Sequence, residues 1–189
     1  MNKLKSTLVI TTAILSATSL MAQQRRISPH ETISASIDGN RITIVYGRPY
    51  TKDPSTGENR KIWGGLVPYG KVWRTGADEA TLLITQRPIS FGGTAVPAGA
   101  YTLWTLPIEH GPTMLIINKQ IGQWGATRGD LKQIYDDSLD VARVDLKKDT
   151  LDKPVDQFTI AMVKNPSGGG ILRMMWENTQ FSAPFTVKK

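Results

Sequence analysis

Apolar and polar residues alternate in short segments along most of the chain, and turn residues separate these segments. The first two alternating segments cover residues 31–37 and 41–46, and Asp38, Gly39 and Asn40 lie between them. A period of two residues is that of a β-strand, and an Asp-Gly pair between two such runs is typical of a hairpin. The alternation therefore predicts a β-hairpin near the start of the chain.

Further segments of the same kind follow downstream. They cover residues 81–85, 89–91, 101–106, 114–118, 158–162, 172–176 and 181–187. Pro184 restricts the last segment to an edge strand or a bulge, and helical periodicity is limited to a turn or two at 130–137. Many short strands without alternating helices predict an all-β fold. We expect an antiparallel β-sandwich, jelly-roll-like or a related barrel, of about nine or ten strands with one short helix.

The first 22 residues have the features of a signal peptide. Lys3 and Lys5 precede an apolar stretch from Leu8 to Met21, and Ala22 offers a cleavage site. This stretch is short for a membrane span, which needs about 20 residues. We therefore expect residues 1–22 to be removed and residues 23–189 to form one domain without an integral membrane segment. The predicted location is periplasmic or extracellular.

Cysteine is absent, which excludes disulfides, thiolate metal sites, cysteine nucleophiles and lipid attachment through an N-terminal cysteine. The formal charge of +7 falls to +5 without Lys3 and Lys5. Because these charges alternate along the chain instead of clustering, we interpret them as a solvated surface and expect no nucleic-acid partner.

Four segments occur together in a specific order and spacing. They are residues 46–49 (YGRP), 63–70 (WGGLVPYG), 72–81 (VWRTGADEAT) and 96–103 (VPAGAYTL). In this combination the chain resembles the DUF2911 family of exported bacterial proteins of unknown function, over most of residues 23–189. The family pattern has Asn where this chain has Asp78. The resemblance implies a domain type and no established activity.

Two of these segments contain an arginine close to a residue with unusual backbone freedom, a restricted proline in one case and a flexible glycine in the other. Arg48 precedes Pro49, and Arg74 lies two residues before Gly76, close in sequence to Asp78 and Glu79. A guanidinium binds carboxylates with two parallel hydrogen bonds. One interpretation is an internal arginine-carboxylate clasp that fixes the long loop at 48–62 onto the sheet. The other is a cleft in which both arginines receive an anionic group.

Aromatic residues near these arginines would supply stacking faces for a ligand, and Trp124, between Gly122 and Gly125, would form the far wall of a pocket. Trp104 and Trp176 lie within predicted strands and are assigned to the core. The candidate ligand-binding residues are Tyr46, Arg48, Trp63, Tyr69, Trp73, Arg74, Asp78, Glu79 and Trp124.

Catalytic and metal-binding motifs are scarce. The chain has two histidines, His30 in the expected N-terminal arm and His110 in a turn, so a site with several imidazoles is excluded and a Ser-His-Asp triad is not expected. Asp136, Asp137 and Asp140 fit no EF-hand spacing and are interpreted as a solvated turn. We predict no metal site and no cofactor.

These observations favour a non-catalytic binding domain for an anionic small molecule, glycan or peptide. One alternative is a hydrolase or lyase with Glu79 or Asp78 as acid/base and Arg74 stabilising negative charge. Adjacent strand residues point to opposite faces, so Asp78 and Glu79 do not themselves form a glycosidase pair. A second alternative is a structural envelope component that binds another protein through an edge strand.

Overall fold

A computed structural model describes residues 27–124 and 135–188. The predicted signal peptide (1–22) and most of the predicted helical turn (130–137) lie outside the described residues. The strands are β1 (His30–Ile37), β2 (Asn40–Gly47), β3 (Ala77–Thr85), β4 (Ile89–Phe91), β5 (Thr94–Val96), β6 (Gly99–Leu106), β7 (Thr113–Asn118), β8 (Asp140–Lys164) and β9 (Gly170–Val187). A 3-10 turn covers Asp137–Leu139. Within these ranges no helix has the length and apolar character needed to cross a bilayer.

All nine strands belong to one antiparallel sheet, in the order β1-β2-β3-β6-β7-β8-β9-β4-β5. This confirms the predicted all-β class and the predicted strand number, and the sheet is not closed into a barrel. The initial hairpin is also confirmed, since β1 and β2 pair around Asp38 and Gly39, both with positive φ. Such angles suit the tight turn that an Asp-Gly pair favours.

The two C-terminal strands are longer than the alternation predicts. Strand β8 pairs with β7 through its first residues and with β9 through the rest, and two register shifts lie between Thr150 and Thr159. The predicted segments 172–176 and 181–187 are both parts of β9. Strand β5, which has three residues and pairs with β4, was not predicted. Most of β8 was missed because its many charged residues do not alternate with apolar ones. The strand still forms, since backbone pairing does not require apolar side chains.

A single large hydrophobic cluster draws residues from both halves of the sheet, from Ile42 in β2 to Phe185 in β9. At its centre the indole of Trp176 is stacked on Trp73, with ring centroids 5.9 Å apart, and lies 5.7 Å from Phe158. Trp104 is fully buried in a smaller second cluster. The core assignment of Trp104 and Trp176 is therefore confirmed.

Candidate functional site

The segment before β3 is fixed to the neighbouring strand β6. Trp73 and Thr105 exchange two backbone hydrogen bonds, of 2.7 and 2.8 Å, and the Trp73 indole donates to the Gly76 carbonyl. Thr75 is buried with φ of +56°, and its carbonyl accepts a 2.6 Å hydrogen bond from the Thr81 hydroxyl. These bonds hold the residues between Trp73 and Thr81 in one conformation.

Strands β2 and β3 contain an irregularity at the point where this segment joins the sheet. Val45 pairs with Leu82 and Gly47 pairs with Ala77, so one residue of β2 lies opposite the four residues 78–81 of β3. A bulge of this kind directs side chains out of the regular ladder. The prediction that Asp78 and Glu79 point to opposite faces assumed a regular strand, and the bulge removes that regularity. Asp78, for example, has a φ of +64°.

His30 lies next to these carboxylates because it pairs with Gly47 on the other side of β2. Gly47 lies in β2 between β1 and β3, and it has no side chain that would separate His30 from the carboxylates. The His30 Nε2 atom is 3.1 Å from Asp78 Oδ2 and 3.3 Å from Glu79 Oε2. The prediction that His30 belongs to an N-terminal arm is wrong, since it is the first residue of β1.

A cavity of about 360 Å³ adjoins this cluster. Its apolar wall includes Val45, Ala80 and Leu82, and its polar groups include His30, Glu79 and Gln123. A space of this size holds a small molecule, and a mostly apolar lining with a few polar groups is characteristic of ligand sites. The cavity lies over the β2-β3 irregularity, so the same bulge positions the polar cluster and opens the space beside it.

Two polar side chains of this region have buried atoms without a hydrogen-bond partner among the described residues. They are Gln123, through both its amide nitrogen and oxygen, and Arg74, through Nε. Burial lowers the pKa of Arg74, and the nearby charge of Asp78 acts in the opposite direction. Buried polar atoms without partners are costly in a folded protein, and a ligand is one way of satisfying them.

Arg48 forms an internal clasp with a carboxylate other than the predicted ones. Its guanidinium lies 3.0 Å from Glu31 and donates to the Phe158 carbonyl and the Thr159 hydroxyl. The clasp connects β1, the start of the long loop and β8. The carboxylate of this clasp comes from β1 and not from Asp78 or Glu79, because the β1-β2 register brings Glu31 opposite Tyr46 and thus beside Arg48.

The predicted aromatic residues are distributed between the core and the surface. Trp63 packs against the rings of Trp73, Trp176 and Phe181, and Trp73 is 8% exposed. Tyr69 lies against Gly64, and Trp124 is 47% exposed and directly follows the cavity residue Gln123. Of the nine candidate residues, Tyr46 and Glu79 line the cavity. Arg48, Asp78 and Trp124 are adjacent in sequence to cavity residues, and Trp63 and Trp73 pack in the core. Tyr69 and Arg74 belong to neither group.

Tyr46 connects the cavity wall to the Arg48 clasp. Its hydroxyl donates to Glu31 Oε2 at 2.8 Å and accepts from the Ile160 backbone N–H at 3.0 Å. Burial, aided by the hydrogen bond to Glu31, raises the pKa of Tyr46 to about 12. The neutral phenol is therefore the form that the folded protein favours.

We expect stability to fall at alkaline pH because of this tyrosine. Between the ordinary tyrosine pKa of 10.0 and the folded value of about 12, the unfolded chain loses a proton that the folded chain retains. The stabilising contribution is complete below pH 10 and is lost as pH rises through the folded pKa, on the order of 2 kcal/mol in total. Chemical denaturation across this range would measure the slope. Tyr46→Phe should make it shallower, and an unchanged slope would contradict the assignment.

Comparison with protein families finds a match over residues 28–185 to DUF2911, described as a protein of unknown function. No curated protein and no solved structure is detectably similar to the chain.

Proposed function

Since the chain belongs to the DUF2911 family of proteins of unknown function, its own site must supply the argument, and we propose that it is a binding domain for a small organic molecule. The observation that carries the proposal is the cavity of about 360 Å³ beside His30 and Glu79. The ligand would place an apolar body against Val45, Ala80 and Leu82. Its polar head group would face the imidazole and the carboxylates.

The two arginines led to the prediction of an anionic ligand, but the side chains that line the cavity favour a different class. Arg48 is engaged by Glu31, and among the described residues that line the cavity the charged side chain beside His30 is that of Glu79. Without a bound cation, two carboxylates near the head group favour a hydrogen-bond donor or an amine over an anion. An export signal at 1–22 would place this binding domain in the periplasm or outside the cell.

Three probes with the same phenylpropyl body test the proposal: 3-phenylpropylamine, 3-phenylpropanol and 3-phenylpropanoate. In metal-free buffer we expect the amine to bind best, with a dissociation constant of about 1 mM, which is typical of a small fragment. Ligand-observed NMR and titration of backbone amide shifts would measure binding. Shift changes at Val45, Ala80 and Leu82 would locate it in the cavity.

A matched pair of substitutions on β3 distinguishes the cavity from the rest of the surface. Leu82 lines the cavity, whereas Ile84, two residues along the same strand, is 38% exposed. Leu82→Trp should fill the space and weaken amine binding about tenfold or more, while Ile84→Trp should leave it unchanged. Equal binding by both variants, or absence of binding by all three probes, would contradict the proposal.

A second candidate is a hydrolase or lyase, which the pairing of an imidazole with carboxylates supports. His30 Nε2 is within 3.3 Å of both Asp78 and Glu79, and Glu79 borders a cavity. Such a pair is able to transfer protons to and from a substrate. The three probes contain no hydrolysable bond, so methyl 3-phenylpropanoate is added as a fourth compound in the NMR experiment. An enzyme would hydrolyse it faster than protein-free buffer does, whereas a binding domain would leave it unchanged.

A further inference from the structure

His30, Asp78 and Glu79 offer one imidazole nitrogen and two carboxylate oxygens at one point of the sheet. These three donor atoms lie within 4.8 Å of one another. From their geometry we infer that the three side chains bind one divalent transition-metal ion, with Zn²⁺ as the representative ion. The inference departs from the prediction of no metal site, which considered sites built from several imidazoles and a calcium loop at Asp136, Asp137 and Asp140.

The distances between donor atoms agree with those of ligands that share a metal ion. Two ligands bound to Zn²⁺ at about 2.0–2.1 Å in tetrahedral geometry are about 3.3 Å apart. His30 Nε2 lies 3.1 Å from Asp78 Oδ2 and 3.3 Å from Glu79 Oε2. The third pair of donor atoms, those of Asp78 and Glu79, lies within 4.8 Å, and binding of the ion would draw the two carboxylates together.

A divalent ion would engage all three side chains of this cluster at once. The Nε2 atom of His30 carries at most one proton, and two carboxylate oxygens lie within 3.3 Å of it. One proton forms a good hydrogen bond with one acceptor, whereas a divalent ion attracts both carboxylates and the lone pair of a neutral imidazole. The two negative charges also balance the charge of the ion.

Backbone hydrogen bonds hold the chain on either side of the donors, of which Asp78 and Glu79 lie in the β2-β3 bulge. The carbonyl of Pro29 accepts from the Arg48 N–H at 2.8 Å, which fixes the backbone next to His30. Beyond Glu79, the Ala80 N–H donates to the Gln123 carbonyl and the Thr81 N–H to the Arg74 carbonyl. Ligands on rigid strands lose little conformational entropy when the ion binds.

Gln123 is a further polar residue of the cavity wall. Both polar atoms of its amide are buried without a hydrogen-bond partner among the described residues, and the side chain lines the cavity beside His30 and Glu79. Three protein ligands leave a fourth position of a tetrahedral ion open. The cavity that Glu79 and His30 line provides the space for the molecule that fills that position.

The inference rests on the proposed binding role of the cavity and identifies the head group of its ligand. With a divalent ion bound, the site attracts anions, because the ion neutralises both carboxylates and accepts an oxygen donor. We therefore expect 3-phenylpropanoate to replace 3-phenylpropylamine as the preferred probe once Zn²⁺ is present. This would restore the anionic ligand class that the sequence predicts.

Isothermal titration of untagged, metal-stripped protein with zinc chloride tests the site directly. We expect one ion per chain with a dissociation constant of about 1 μM or lower. His30→Ala should weaken binding about 100-fold. The matched control is His110→Ala, since His110 is exposed in the turn before β7.

Glu79→Gln serves as a second variant that keeps the shape of the side chain, and it should weaken zinc binding about tenfold. Cooperative thermal unfolding of each variant would show that it is folded. Absence of zinc binding, or equal binding by the wild type and by both site variants, would overturn the metal site. Zinc binding without binding of any phenylpropyl probe would overturn the cavity proposal alone, so the two fail separately.

Discussion

Replacing Trp176 with alanine is expected to lower the free energy of unfolding by about 4 kcal/mol. Trp176 is fully buried, and its indole contacts Trp63, Trp73 and Phe158 at centroid distances of 5.7 to 6.3 Å. Removing it leaves a large cavity where the two halves of the sheet meet, and rigid neighbouring rings fill such a space poorly. Urea denaturation followed by circular dichroism would measure the loss.

Trp176→Phe is the informative comparison for this core position. The indole nitrogen is buried without a hydrogen-bond partner among the described residues. Phenylalanine removes that polar group and retains an aromatic ring, so the loss should be about 1–2 kcal/mol. Equal losses for alanine and phenylalanine would show that the stacked ring itself contributes little.

The fold is largely predictable because side-chain alternation reports directly on strands with one buried face. Residues 89–91 coincide with β4, and the segments at 31–37 and 41–46 coincide with most of β1 and β2. Strand β8 escapes the same reasoning where Lys147, Lys148 and Asp149 follow one another, since its pairing with β9 depends on backbone groups. Sequence thus predicts the buried strands more reliably than the solvated ones.

The site is only half predictable because its two sides are distant in sequence. Asp78 and Glu79 stand out next to the conspicuous turn, but His30 is 48 residues from Asp78. Their proximity depends on the register that aligns His30, Gly47 and Ala77 across three strands. One feature of the sequence does indicate this proximity. A histidine directly precedes the first alternating segment, and in the predicted hairpin it lies opposite the glycine of the Tyr46-Gly47-Arg48 motif.

Gly47→Ala is expected to destabilise the protein by about 3 kcal/mol and to weaken zinc binding at the same time. A Cβ atom at Gly47 would lie 2.2 Å from the Ala77 carbonyl oxygen, so the backbones of β2 and β3 would have to separate. That movement would shift Asp78 and Glu79 relative to His30, which is paired with Gly47. Thermal unfolding and zinc titration on the same samples would measure both effects.

Gly57→Ala provides the control for a glycine substitution without crowding. A Cβ atom at Gly57 meets no atom within 4 Å, and the residue has φ of +75°, so the left-handed conformation is the main cost. That cost is about 1–2 kcal/mol, and zinc binding should be unchanged because a Cβ atom at Gly57 would contact no residue of the site. Retention of wild-type stability and zinc affinity by Gly47→Ala would contradict the role of Gly47. In that case β1, β2 and β3 would bring His30 and the two carboxylates together equally well with a side chain at position 47.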